Sequence, residues 1–186
     1  MPPKKKPDPN RNEVESILAT LKRLGNKKTR DGMGTRYGIV GPTAEKSFGV
    51  PMAKMLKLSK ELGRNHELAL VLWESGWYEA RMVACMIDEP KKVTKAQMDQ
   101  WCSDFDNWGI CDTVCFKLFD QVTHAYGKVK QWAQSKEEFI KRGAFALLAC
   151  VALHDKSADD DRFLEYLPLI ESASDDDRNF VKKALL

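Results

Sequence analysis

The sequence predicts an all-α protein, and three observations carry that reading. Apolar residues recur with the helical period almost throughout, and no window shows the alternation of a half-buried strand. Turn and capping signals cut the chain into helices of roughly 10–16 residues with connections of roughly two to five residues, so neighbours pack antiparallel. Pairs of roughly 35–45 residues then repeat, which is the pattern of a HEAT- or armadillo-like right-handed α-α superhelix with a concave face. A closed bundle is the alternative, and either arrangement places the most apolar helix centrally.

The elements follow in order. Residues 1–10 (MPPKKKPDPN) read as a disordered basic arm, and residues 11–186 as a single repeat domain. Val14, Ile17, Leu18, Leu21 and Leu24 form the first stripe, which Gly25 ends. The segment GNKKTRDGMGTRYGIVGP reads as a glycine-rich basic loop. Pro51 opens a helix striped by Met52, Met55, Leu56, Leu58 and Leu62 and closed at Gly63. Asn65 caps HELALVLWES, and WYEARMVACMID runs up to Pro90. Thr94 with Gln97 forms a capping box before KAQMDQWCSDF. Asn107 leads into WGICDTVCFKLF, and HAYGKVKQWAQ follows. Ser135 with Glu138 forms a second capping box ahead of FIKRGAFALLACVAL. Two further helices start near Ser157 and Ser174, the last with acids in its first turn and bases in its second, and the chain reads as cut within that helix.

The charge is uneven. A net +3 conceals +9 in residues 1–64 and −6 in the remainder, which suggests an anionic partner for one end of the molecule. The longest apolar run, Ala144–Leu153, is too short for a bilayer, which takes about 20 residues. The basic N-terminus has no apolar stretch behind it and is not a secretory signal. Five cysteines without a CxxC pair fit reduced, buried thiols, and three scattered histidines exclude the usual zinc spacings. The glycines make no nucleotide-binding pattern, and the runs Asp159–Asp161 and Asp175–Asp177 are helix starts rather than metal loops. No metal and no cofactor is expected.

A few residues could carry chemistry. Trp108 and Asp112 stand four apart and share a helix face; a ring beside a carboxylate suits a cation. Core packing of the ring and a helix-connecting bond of the acid explain that spacing as well, and more often. Arg142, between acids and a wholly apolar stretch, either reaches across a groove to a phosphate or carboxylate or pairs with a neighbouring acid. Trp73, Trp77, Trp101 and Trp132 read as core. Tyr37 among Lys27, Lys28, Arg30 and Arg36 fits a nucleic-acid contact, with a mobile loop the competing reading.

The segments SFGVPMAKMLKLSKEL, HELALVLWESGWYEARMVACMID, QMDQWCSDFDNWGICDTVC and FIKRGAFALLA, with RNFVKKAL, resemble the DNA alkylation repair family. These are HEAT-like-repeat DNA glycosylases of the bacterial 3-methyladenine DNA glycosylase D type. The likeness runs from about Ser47 to Leu186 and is specific as an ordered set, weak for any one piece. It implies that Trp108, Asp112 and Arg142 are catalytic and that cationic N3- or N7-alkylpurines are released from double-stranded DNA without base flipping. Asp112 would stabilise the oxocarbenium and orient water, Trp108 would pack on the deoxyribose, and Arg142 would hold a phosphate. Arg36, Tyr37, Lys141, Lys182 and Lys183 are the expected DNA contacts. A monomer is expected, in the bacterial cytoplasm at the nucleoid or in a eukaryotic nucleus, with no membrane partner. Family members usually extend the last helix into an aromatic, basic segment that this sequence stops short of. A non-catalytic HEAT-like scaffold binding DNA structures or a protein is the alternative function.

Overall fold

The computed structural model describes residues Pro9–Leu185. The expected basic arm falls outside the described residues up to residue 8, and the first helix opens at Pro9, inside the span assigned to that arm. All regular structure among the described residues is helical. No helix among them is long and apolar enough to cross a membrane. The chain divides into two compact units, residues 1–88 and 89–186.

The first unit holds α1 (Pro9–Leu24), α2 (Lys27–Tyr37), α3 (Pro42–Glu45), α4 (Met52–Leu62), α5 (His66–Glu74) and α6 (Tyr78–Ile87). The predicted stripe of α1 buries Val14, Ile17 and Leu21, and the α4 stripe buries Met55 and Leu58. α1 packs on α5 and α6 and α4 packs on α6; Leu68, Leu72, Trp73, Met82 and Val83 of α5 and α6 are buried.

The glycine-rich stretch is not a loop. Residues 27–37 form α2, because Asn26 caps it by accepting from the Thr29 N–H at 3.1 Å. At its other end Gly38 takes a left-handed φ of 63° and donates to the Gly34 carbonyl. Two interior glycines each weaken a helix by about 1 kcal/mol relative to alanine. Only Met33 is buried, so no apolar stripe announces this helix.

A buried carboxylate fixes the segment that supports α2. Glu79 is fully enclosed and accepts from Ser47 Oγ at 2.6 Å, Phe48 N at 3.0 Å, Gly49 N at 2.8 Å and Val50 N at 3.1 Å. The tethered turn takes the Asn26 N–H on the Phe48 and Gly49 carbonyls. Gly49, at φ +74°, lies so close to Asn26 that a Cβ would stand 2.4 Å from its carbonyl oxygen.

The second unit contains α7 (Lys95–Ser103), α8 (Trp108–Lys117), a 3₁₀ turn at Phe119–Gln121, α9 (Ala125–Trp132) and α10 (Glu138–His154). The short helices α11 (Asp160–Leu164), α12 (Leu167–Ala173) and α13 (Asn179–Leu185) complete it. The apolar helix α10 is its hub, touching α7, α8, α9 and α13. Gly143 permits the approach to α7: a Cβ there would meet Cys102 Sγ at 3.3 Å. Asn65, Thr94 and Asn107 cap their helices as the sequence predicts.

Two local expectations are corrected. Ser135 does not cap α10: its hydroxyl accepts from the Glu137 N–H, and Glu138 is used elsewhere. Asp175–Asp177 precede the last helix rather than open it, because Asp176 is drawn to Lys141 and Arg178.

Candidate functional site

The site is built on α8. Asn107 accepts from the Ile110 N–H at 3.0 Å and so starts the helix at Trp108. The inner stripe, Ile110, Cys111, Val114 and Cys115, is completely buried. That burial turns Trp108 and Asp112 to the outer side, one turn apart. Trp108 is half-buried rather than core, and the Asp112 side chain keeps 37% of its surface exposed.

Arg142 reaches Asp112 from α10. Its Nε donates to Oδ1 at 2.9 Å and its Nη2 to Oδ2 at 2.6 Å, a two-pronged ion pair, while Nη1 donates to the Phe180 carbonyl at 2.8 Å. Only 8% of the Arg142 side chain is exposed. Burial opposes its charge, yet its bonds to the Asp112 carboxylate outweigh burial and hold the guanidinium proton more firmly than usual. The sequence offered a neighbouring acid or a distant phosphate for this arginine. In this structure the acid is its partner, with the Phe180 carbonyl on the remaining nitrogen.

The thiols beneath this pair are not poised for chemistry. Contact with Cys111 and burial push the Cys115 thiol well up, and burial pushes Cys150 up to about 12. All five cysteines are free and buried. Among the described residues no group of three or more His, Cys, Asp or Glu side chains is placed to hold a metal ion.

The expected DNA-contacting residues divide between the units. Lys141 is largely buried and paired at 3.0 Å with Asp176, a carboxylate it shares with Arg178. Lys182 pairs with Asp177 at 2.9 Å but stays half-exposed, and Lys183 lies 5.9 Å from the Phe180 ring centroid. Arg36 and Tyr37 end α2 in the first unit, both exposed, with Tyr37 showing 51% of its surface. A surface hollow along α2 is lined by Lys27, Lys28, Thr29, Asp31, Arg36 and Tyr37. Sequence reasoning missed the part played by Phe180, since it acts through its peptide group and no side-chain type announces that.

Paired helices with an aromatic and an arginine-held carboxylate at one helix start define an α-helical repeat protein with a polar surface site. The profile of the DNA alkylation repair enzyme family matches residues 17–185, and the chain belongs to that family. Its fold is similar to a solved structure described as "a new family of proteins related to the HEAT-like repeat DNA glycosylases with affinity for branched DNA structures". The TM-score is 0.78 at 20% identity, over 92% of this chain and 72% of that one. The likeness establishes the HEAT-like-repeat fold. No curated protein matches the chain.

Proposed function

We propose that the protein is a DNA glycosylase that releases cationic N3- and N7-alkylpurines from double-stranded DNA. The observation that carries the reading is Asp112: a carboxylate fixed by Arg142, still partly exposed, one helical turn from a half-buried tryptophan.

The chemistry suits so sparse a site. An alkylated purine carries positive charge and leaves readily. As the N-glycosidic bond breaks, its electron pair goes to the base and positive charge appears on the deoxyribose. Water then adds to C1′ and its proton passes to solvent. A carboxylate held by a guanidinium fork is poorly suited to take that proton. It is well suited to stabilise the oxocarbenium and to orient the water, since each oxygen keeps a free acceptor site. Trp108 packs on the sugar and turns its ring face toward the cation, a contribution of about 0.5–2 kcal/mol. Asp112 lies at the surface, so the lesion is met without extrusion of the base, in contrast to enzymes that need a flipped nucleotide. Arg36, Lys182 and Lys183 are assigned to the DNA backbone and the Tyr37 ring to stacking.

The experiment is release of 7-methylguanine or 3-methyladenine from alkylated duplex. Steady release supports the reading; none from folded protein overturns it. A second reading, a non-catalytic binder of DNA structures, is favoured by the branched-DNA affinity stated for the similar solved structure. It predicts tighter binding to a four-way junction than to linear duplex, with no base released.

A further inference from the structure

The grip of Arg142 on Asp112 is itself held from behind. All three nitrogens of its guanidinium donate, two to Asp112 and the third to the Phe180 carbonyl, in the first turn of α13. The first N–H groups of a helix have no partner within it. For α13 one of them is served from another helix: the Phe180 N–H donates to Glu138 Oε1 at 2.8 Å. Glu138 and Arg142 are four residues apart on α10 and therefore lie on one face, gripping the two ends of the same α13 residue. Phe139 packs on the Phe180 ring with centroids 4.9 Å apart. Lys141 anchors the preceding turn through Asp176, and Arg178 donates to the Lys136 carbonyl.

A buried guanidinium keeps a fixed orientation only when its donors are matched. The Phe180 carbonyl does that for Nη1, and Glu138 fixes where that carbonyl stands. We propose that Glu138 is a positioning residue for the site, acting through the Phe180 peptide and Arg142 to hold the Asp112 carboxylate in its working orientation. The proposal deepens the glycosylase reading and rests on it for its rate consequence, while its structural half is measurable without any reaction.

The experiment compares the full chain with Glu138→Ala and Glu138→Gln, the second of which keeps an acceptor oxygen for the Phe180 N–H. Glu138 is only half-buried at a helix start, so both variants are expected to fold, which melting curves check first. Solvent exchange of the Arg142 Nε–H, followed by ¹⁵N NMR, is expected to be slow in the parent and in Glu138→Gln. In Glu138→Ala it is about tenfold faster, the size of one lost hydrogen bond. Asp176→Ala loosens the same segment from its other side and is expected to move exchange in the same direction. Base release is expected to fall about tenfold in kcat for Glu138→Ala, with KM for DNA within about twofold and recovery in Glu138→Gln. Unchanged Arg142 exchange in Glu138→Ala overturns the proposal, whatever the activity and whatever Asp176→Ala does. So does an equal loss in Glu138→Gln and Glu138→Ala. A parent protein that releases no base overturns the glycosylase reading instead, and the exchange measurement still decides the role of Glu138.

Discussion

Arg142 and Asp112 join α10 to α8 through two parallel hydrogen bonds, 2.9 and 2.6 Å long, with the arginine buried and the aspartate reaching the surface. Under the proposed reading the asymmetry separates two roles: Arg142 is held inside to orient, and Asp112 meets the ligand. Asp112→Asn keeps the shape but removes the negative charge and turns an NH₂ toward an arginine donor. Base release from alkylated duplex is expected to fall about 10²–10³-fold, the usual range for losing a preorganised electrostatic group. DNA affinity, measured by fluorescence anisotropy, should change little. Full release by the variant removes Asp112 from the mechanism.

Arg142→Lys keeps the charge but cannot span both Asp112 oxygens and the Phe180 carbonyl at once. Stability is expected to fall by about 1–3 kcal/mol, short of a fully buried pair because solvent reaches the Asp112 side. Denaturant unfolding gives that figure, and base release should fall more steeply than DNA affinity. If affinity falls first and alone, Arg142 is a DNA contact.

Glu79 is a structural counterpart in the first unit. Its two oxygens serve three consecutive backbone N–H groups and the Ser47 hydroxyl. Glu79→Gln replaces one acceptor oxygen with a donor that faces other donors. The cost is about 2–4 kcal/mol, or a fall in Tm of about 5–10 °C by calorimetry. An unchanged Tm would show that the turn at residues 47–50 keeps its position without this clasp.

Stripes and caps, which are local signals, made most helices legible, whereas Trp108, Asp112 and Arg142 were singled out as candidates by the family resemblance. Ile110, Cys111, Val114 and Cys115 fill one face of α8, so the outward placement of Trp108 and Asp112 follows from periodicity. The pairing of Arg142 with Asp112 does not follow, since it depends on a crossing of two helices 30 residues apart. The helix α2 escaped because its signals conflict: interior glycines argue for a loop, while Asn26 and Gly38 cap a helix anchored by Met33 alone. Ser135 and Glu138 had the spacing of a capping box, but a more distant donor, the Phe180 N–H, captured the glutamate. Long-range competition of this kind leaves no periodic trace.

The second unit should be sensitive to acid. Hydrogen bonds from Arg178 hold the Asp176 carboxyl well below its usual range; burial opposes this and Lys141 reinforces it. A depressed carboxylate binds protons in the unfolded chain first, so stability present above the unfolded value is lost as pH falls toward the folded one. The stability difference between the parent protein and Asp176→Asn is expected to be constant near neutrality. It should shrink as pH falls below about 3.8, where the unfolded carboxylate titrates. Melting temperatures of both proteins from pH 7 down to pH 3 test this. A difference that grows on acidification contradicts the assignment.

The basic helix α2 carries the last prediction. Lys28, Arg36 and Tyr37 are exposed, whereas Lys27 is already paired with Asp31. If α2 lies along a DNA backbone, Lys28→Ala and Arg36→Ala each leave one phosphate without its cation. The slope of log K against log salt for duplex binding should then fall by about 0.9 for each phosphate so exposed. Lys27→Ala should alter it less, because Asp31 offsets that charge. Tyr37→Ala should weaken binding without changing the slope, since a stacking ring releases no counterions. Titrations at several salt concentrations separate these effects. If Lys28→Ala and Arg36→Ala leave the slope unaltered, α2 is not the DNA-binding helix, and the positive charge of the first 64 residues serves another partner.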